Sequence, residues 1–213
     1  HGSRLQGLSM NPSHGASWCI VASSPTNLAA ETVAWAMECL GDLTAKRVLE
    51  PSAGEGALAE PARAADAKVT AVEIDAASAQ ILRDKGFEVV ERDFLSLSLA
   101  DIGLFDVVIA NPPFSQNYKR ADLKFDGRFH TFMPESGKKA DLMFVQHMLA
   151  VLKGDGKMAT VMPHGVLFRG GEERETRRHF IERGWLEAVI ALPEGLFYGT
   201  SIAACVLVLN KKD

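Results

Sequence analysis

The segment VLEPSAGEGALAE (48–60) decides the fold class. A β-favouring run enters a turn of small residues and glycines, and a helix-like run follows it. Such a turn lets backbone N–H groups approach a ligand closely. It lacks the Lys-Ser/Thr pair of a phosphate-binding loop, and Glu50 and Glu55 would repel a pyrophosphate. The segment therefore favours a ligand with a positive end, such as an amino-acid ammonium, and an ordinary tight turn is the alternative interpretation.

Strand-like and helix-like segments alternate on both sides of this turn. This order predicts an α/β fold with a doubly wound, mostly parallel sheet that carries helices on both faces. The predicted strands are RVLEP, KVTAVEI, FEVVERDF, FDVVIA, KMATVMP, LEAVIAL and IAACVLVLN. The predicted helices are SSPTNLAAETVAWAMECLG, AASAQILRDKG, the amphipathic ADLMFVQHMLAVLKGDG and the charged EERETRRHFIERG.

Composition fits one globular domain. The chain has 213 residues, of which 47% are hydrophobic and 23% charged. We expect a flexible N-terminal segment at 1–22, whose HGS start resembles an expression-tag remnant, and a single domain at 23–213. Residues 115–140, which we call the substrate-side loop, resist assignment and are long enough to suggest a function. The net charge of −4 neither supports nor excludes nucleic acid as a partner.

Cysteine usage and hydropathy indicate the cellular environment of the chain. The cysteines Cys19, Cys39 and Cys205 are odd in number, far apart and without metal-ligand spacing. We therefore expect a reducing, cytoplasmic compartment with no disulfide and no metal. No apolar run approaches the length of a membrane span, so we expect no membrane association.

Polar residues follow two further predicted strands. Glu73 ends the strand after the glycine turn, where a carboxylate can accept from ribose hydroxyls in doubly wound folds. Asp93 follows the next strand and can accept from an adenine amine, while Phe94 can pack on the ring. Together with the glycine turn, these positions describe a site for a nucleoside that bears an amino acid. S-adenosylmethionine fits that description.

The segment FDVVIANPPFSQ (105–116) suggests the chemistry. An aromatic amine has its lone pair delocalised into the ring, and accepting hydrogen bonds from its two hydrogens concentrates that lone pair on the nitrogen. Asn111 offers a side-chain carbonyl, and Pro112 and Pro113 have no competing N–H. Phe114 offers a surface on which a flipped base can stack. A plain turn is the alternative interpretation of the two prolines.

The motifs PSAGEG, VEID, RDF and NPPF occur in the order of the amino-methylating, adenine-class DNA methyltransferases, and the chain resembles that family. The segment 139–212 is similar to the methyltransferase (modification) subunit of type I restriction–modification systems. The resemblance implies a seven-stranded Rossmann-like class I methyltransferase sheet with one reversed strand in the edge region. It assigns the catalytic role to Asn111, Pro112, Pro113 and Phe114. It also assigns cofactor contacts to Ser24, Pro25, Glu50, Pro51, Ser52, Ala53, Gly54, Gly56, Glu73, Ile74, Asp93, Phe94 and Asn111, and base contacts to Phe114 and Phe197.

The expected activity is methyl transfer from S-adenosylmethionine to the exocyclic amine of a flipped adenine in DNA. Methylation of a cytosine amine, of an RNA base or of a protein glutamine remains an alternative. Another is a cofactor-binding scaffold that needs a specificity subunit or another recognition partner to contact DNA. Type I subunits are typically longer, so the chain could be a core of such a subunit or a compact enzyme.

Other polar residues have plainer interpretations. Lysines and arginines alternate with aromatic residues in the substrate-side loop, a pattern typical of a segment that orders on nucleic acid, and disorder is the alternative. The arginines of FRGGEERETRRHF alternate with glutamates, which predicts a solvated helix face, with DNA phosphate contact as the alternative. We expect His147 to pack in the core and His164 to be a structural loop residue.

Overall fold

The computed structural model describes residues 18–21, 37–123, 126–137, 139–192 and 203–211. The strands are β1 (Trp18–Val21), β2 (Arg47–Glu50), β3 (Lys68–Glu73), β4 (Glu88–Glu91), β5 (Phe105–Ala110), β6 (Leu152–Pro163), β7 (Leu186–Ala191) and β8 (Ala204–Asn210). The helices are α1 (Ala59–Ala64), α2 (Ala76–Asp84), α3 (Leu99–Ile102), α4 (Asp141–Ala150) and α5 (Glu172–Glu182). A helical turn at 37–40 precedes Gly41, whose φ of 76° ends it where the sequence predicts.

One sheet contains all the described strands, in the order β1-β7-β8-β6-β5-β2-β3-β4. The seven predicted strands are present, and β8 is the one reversed strand, antiparallel to both β6 and β7. β8 lies third from one end of the sheet, between β7 and β6, which confirms the prediction of one reversed strand in the edge region. β1 is an eighth strand that the sequence analysis did not predict, and it pairs parallel to β7.

Alternating side chains build a separate core on each face of the sheet. On β5, Val107 and Ile109 join one core, whereas Val108 and Ala110 join the other. The first core lies under α1, α2 and the turn at 37–40, and the second lies under α3 and α4. This confirms the prediction of a doubly wound sheet with helices on both faces.

Helix α4 differs from its prediction because it is buried around its whole circumference. Every residue of α4 from Asp141 to Leu149 is buried. The outer face is covered by the substrate-side loop, whose Tyr118, Phe129 and Met133 join the core on that side. An amphipathic helix would expose that face, so the prediction of amphipathicity is wrong.

The substrate-side loop is folded in its described part, which corrects the expectation of a segment that orders only on nucleic acid. Ala140 N–H donates to Gln116 O at 3.0 Å and closes the neck of the loop. The Gln146 side chain on α4 accepts from His130 N–H at 2.9 Å and Thr131 N–H at 3.1 Å, and donates to Thr131 O at 2.9 Å. Two arginines of the loop lie over rings of the same loop, Arg120 over Phe132 at 3.6 Å and Arg128 over Phe129 at 4.7 Å.

Candidate active site

A cleft of about 750 Å³ opens at the carboxyl ends of β2, β3, β4 and β5. Loops that follow parallel strands meet at this edge, so residues distant in sequence come together here. The cleft is lined by Pro51, Ser52, Gly54, Val72, Glu73, Ile74, Arg92, Asp93, Phe94, Leu95, Asn111, Pro113, Gln116, Asn117, Tyr118, Lys119, Asp122, Leu123 and Phe144. The three predicted strand ends and the Asn-Pro-Pro segment therefore share one cavity.

Glu73 fastens the glycine turn to the end of β3. Its Oε2 accepts from Gly54 N–H at 2.7 Å, and its Oε1 accepts from the N–H groups of Ile74 and Asp75, both at 2.8 Å. Gly54 has a φ of 53°, a left-handed conformation that glycine adopts without strain. Ile74 is 70% exposed although it is apolar, and it lines the cleft beside Glu73.

Asp93 and Phe94 form the next wall of the cleft. Asp93 caps a single helical turn at 94–96, because its Oδ1 accepts from Leu95 N–H at 3.0 Å. Phe94 is buried and packs on the His147 ring, with 4.1 Å between ring centroids. The sequence analysis expected His147 to be a core residue, and the structure shows it 1% exposed.

His147 and Arg128 hold this wall from behind. His147 Nε2 donates to Phe94 O at 3.0 Å, and burial lowers the pKa of His147 to about 3, so the ring is neutral. The Arg128 guanidinium, from the substrate-side loop, donates to the backbone oxygens of Leu95 and Leu97. No sequence motif indicated either contact, because both join segments that are far apart in the chain.

The Asn-Pro-Pro-Phe segment is divided between the cleft and the core. Asn111 and Pro113 are exposed and line the cleft, whereas Pro112 is buried. Phe114 is half-buried, packs against the core on the α1 and α2 face, and is not among the cleft residues. Its predicted contact with a base stays a prediction. Ser24, Pro25 and Phe197 lie outside the described residues.

Three of the predicted cofactor residues support the cleft without lining it. Glu50 is 2% exposed, and its Oε2 has no hydrogen-bond partner among the described residues. Burial raises the pKa of Glu50 to about 8, although hydrogen bonds from the N–H groups of Ala59 and Leu58 act to lower it. Ala53 is buried and its N–H donates to Val72 O at 3.0 Å. At Gly56 an added Cβ would lie 3.0 Å from Leu82 on α2, so this glycine allows close helix packing.

The substrate-side loop also lines the cleft. Six of its residues form part of the cleft wall: Gln116, Asn117, Tyr118, Lys119, Asp122 and Leu123. Tyr118 is fixed there because its hydroxyl donates to Met133 O. The only available sequence signal was that the loop directly follows the Asn-Pro-Pro segment.

The family model for N-6 DNA methylases matches residues 59–213, which is more than half of the chain. The chain belongs to the N-6 DNA methylase family. The type I restriction enzyme MpnII methylase subunit of Mycoplasma pneumoniae is 43% identical to this chain over 113 residues, covering 50% of the chain and 20% of the relative. The MjaVIII methylase subunit of Methanocaldococcus jannaschii is 35% identical over 113 residues, covering 51% of the chain and 19% of the relative.

A solved structure extends the similarity to 90% of the chain. The crystal structure of a type I restriction-modification methyltransferase subunit from Streptococcus thermophilus superposes with a TM-score of 0.74 at 29% identity. It covers 90% of this chain and 44% of that subunit. The fold is thus that of class I methyltransferases, as predicted, and the matched part spans about a fifth of the length of the curated relatives.

Across the described ranges, no helix is long and apolar enough to cross a membrane. The same part of the chain contains no cluster of three His, Cys, Asp or Glu side chains that could hold a metal ion.

Proposed function

We propose that this chain is the catalytic core of a DNA adenine methyltransferase that uses S-adenosylmethionine. The observation that carries the proposal is that Asn111 and Pro113 line the same cleft as Gly54, Glu73 and Asp93. One cavity thus combines an acceptor for a planar amine with acceptors for a nucleoside. The matching relatives are methylase subunits of type I restriction enzymes, which supports DNA as the substrate.

The cleft residues suit S-adenosylmethionine, which supplies a methyl group activated by a sulfonium. A carboxylate has about four lone-pair directions, so Glu73 can accept from a ribose hydroxyl beside its three backbone bonds. Asp93 accepts from the adenine amine, and Ile74 and Phe94, which both line the cleft, cover the ring. Ser24 and Pro25 lie near the methionine end in this proposal.

Asn111 orients the target amine. Its side-chain carbonyl and the backbone carbonyls of the Asn-Pro-Pro segment accept from the two amine hydrogens, which directs the nitrogen lone pair toward the methyl group. Phe114 and Phe197 stack on the flipped base. For Phe114 this requires its ring to turn from the core packing that the structure shows.

A partner supplies target recognition in this proposal. The relatives are subunits of multi-subunit type I enzymes by name, and the chain spans about a fifth of their length. We therefore expect a specificity subunit or another recognition partner to bring DNA to the cleft.

The test measures transfer from tritiated S-adenosylmethionine to separate pools of DNA, RNA and protein. We expect label in DNA, and digestion followed by nucleoside mass spectrometry should give N6-methyladenine. Label in RNA or protein, or a methylated cytosine, would replace the proposed substrate. Cofactor binding without any transfer, even with a specificity subunit added, would indicate a scaffold.

A further inference from the structure

A buried carboxylate lies directly behind the catalytic segment and plays no part in the function proposed above. Asp141, the first residue of α4, is 2% exposed, and its Oδ1 accepts from Ser115 N–H at 2.8 Å. Ser115 follows Phe114 immediately and has a φ of 55°. Left-handed backbone is uncommon for a residue with a side chain and needs support from its surroundings.

A second acidic residue and two cations complete this support. Arg169 Nη1 lies 3.5 Å from Asp141 Oδ2 and 3.3 Å from Glu173 Oε1. Glu173, in the first turn of α5, is 2% exposed and is also 3.3 Å from Lys139 Nζ. We call Ser115, Asp141, Arg169 and Glu173 the loop clamp. It ties the loop after β5 to the loop after β6.

Arg169 is itself held in place by its neighbours. An added Cβ at Gly165 would lie 2.4 Å from the Arg169 guanidinium, so the guanidinium packs directly on a residue without a side chain. Arg177 donates to Arg169 O at 2.6 Å and to Val166 O at 2.9 Å. The prediction that the arginines of this region form a solvated face is therefore wrong for Arg169 and Arg177.

We infer that Asp141 is a positioning residue for methyl transfer. By holding Ser115 N–H in a left-handed turn, it fixes the direction in which the chain leaves Phe114 and thus the placement of the Asn111 carbonyl. Burial raises the pKa of Asp141, and the Ser115 N–H and Arg169 oppose that rise. The inference rests on the proposed function, since it assigns a task within that reaction.

The experiment uses two variants at one position and a matched control. Asp141→Ala removes the acceptor, and Asp141→Asn keeps an oxygen for Ser115 N–H. The control is Asp106→Ala, because Asp106 also accepts a backbone N–H at 2.8 Å, from Arg47, but lies at the opposite end of β5 from the cleft.

Amide hydrogen exchange, read by mass spectrometry on the full chain, tests the positioning without any substrate. We expect faster exchange in the peptide that contains Ser115 for Asp141→Ala only, with Asp141→Asn and Asp106→Ala like the wild type there. Unchanged exchange in Asp141→Ala would overturn the inference, whatever the enzyme methylates.

Kinetics then test the consequence for the reaction. Small misplacements of reacting groups lower rates by up to about 10²-fold, so kcat should fall on that scale in Asp141→Ala while the Kd for S-adenosylhomocysteine stays within about twofold. Asp141→Asn should recover most of the kcat. If Asp141→Ala loses no more kcat than Asp106→Ala, the positioning role is wrong. If the exchange results at Ser115 are as expected but the wild-type enzyme does not methylate DNA, the proposed function is refuted and the positioning of Ser115 by Asp141 is not.

Discussion

At the scale of single residues, a change at Asn111 should affect methyl transfer but not cofactor binding. Asn111→Ala should lower kcat by about 10²–10³-fold, the usual effect of losing one group that stabilises developing charge. The Kd for S-adenosylhomocysteine, measured by calorimetry, should change little, because Asn111 acts on the target amine. Asn111→Asp keeps an acceptor and should retain some activity. Wild-type turnover in Asn111→Ala would rule out the catalytic assignment.

Glu50 should make stability depend on pH. Its pKa is about 8 in the folded chain and near the ordinary 4.5 when unfolded, so the folded state binds the proton more tightly. This contribution to stability is fully present below about pH 4.5 and is lost as the pH rises through about 8. Above that range the fold must bury a charge whose Oε2 has no described partner.

Urea unfolding of Glu50→Gln at about pH 5 and about pH 8 checks this sign, since the variant cannot ionise. The wild type should lose more stability than Glu50→Gln between the two pH values. Glu55→Gln is the matched control, because Glu55 lies on the same turn and is exposed. A wild-type dependence that Glu50→Gln leaves unchanged would place the titration elsewhere.

Side-chain roles were only partly predictable at this scale. Gly54, Glu73, Asp93 and Asn111 could be placed at the cleft because each follows a strand, and strand ends are visible in the sequence. The burial of Glu50 at the end of β2 and the core packing of Phe114 after β5 could not, because both depend on which face of the sheet the side chain meets.

At the scale of elements, Gln146 connects α4 to the substrate-side loop. Gln146→Leu removes the bonds to the backbone of His130 and Thr131 and should destabilise the loop by about 1–3 kcal/mol, the usual effect of leaving buried polar groups unpaired. Because the loop lines the cleft, cofactor affinity should fall and cleavage within 116–137 by a protease should quicken.

The control for Gln146→Leu is Gln80→Leu on α2. Gln80 is exposed and bonds only to Asp84 among the described residues, at 2.8 Å. Limited proteolysis and calorimetry with S-adenosylhomocysteine should leave Gln80→Leu like the wild type. Equal protection of the loop in both variants would show that apolar packing alone holds it.

Elements with a clear repeat were predictable, and those built from long-range contacts were not. β5 was predicted as a strand because apolar residues fill the run FDVVIA. α2 was predicted as a helix that ends near Gly86. β1 is a short β-favouring run, WCIV, inside the segment that we expected to be flexible, and its pairing with β7 was not visible in the sequence. α4 was misread because the loop that buries its outer face has no regular pattern.

At the scale of the whole molecule, ligand binding should raise the melting temperature. S-adenosylhomocysteine at about 100 times its Kd stabilises the folded state by about 2.7 kcal/mol. For a domain of this size that is a rise of about 5–10 °C in differential scanning fluorimetry. Asp93→Ala should shrink the rise at the same concentration because it removes an acceptor for the adenine amine.

Adenosine triphosphate is the matched ligand control. It carries the same nucleoside, but its phosphates would meet a glycine turn that lacks the lysine of a phosphate-binding loop and that carries the exposed Glu55. A shift from the triphosphate as large as that from S-adenosylhomocysteine would contradict the assignment of the turn to an amino-acid end.

Because the neck of the substrate-side loop is closed, the length of the loop can change without moving the strands of the sheet. Ala140 and Gln116 are joined by a backbone hydrogen bond of 3.0 Å, so the chain leaves and re-enters the domain at one point. Doubling the length of a flexible loop costs only about 0.6 kcal/mol in closure entropy. Insertions at exposed positions between these two residues can therefore change the rim of the cleft while β5 and α4 keep their positions, as long as Tyr118, Phe129 and Met133 still cover α4. These exposed positions are where a new substrate preference can be engineered.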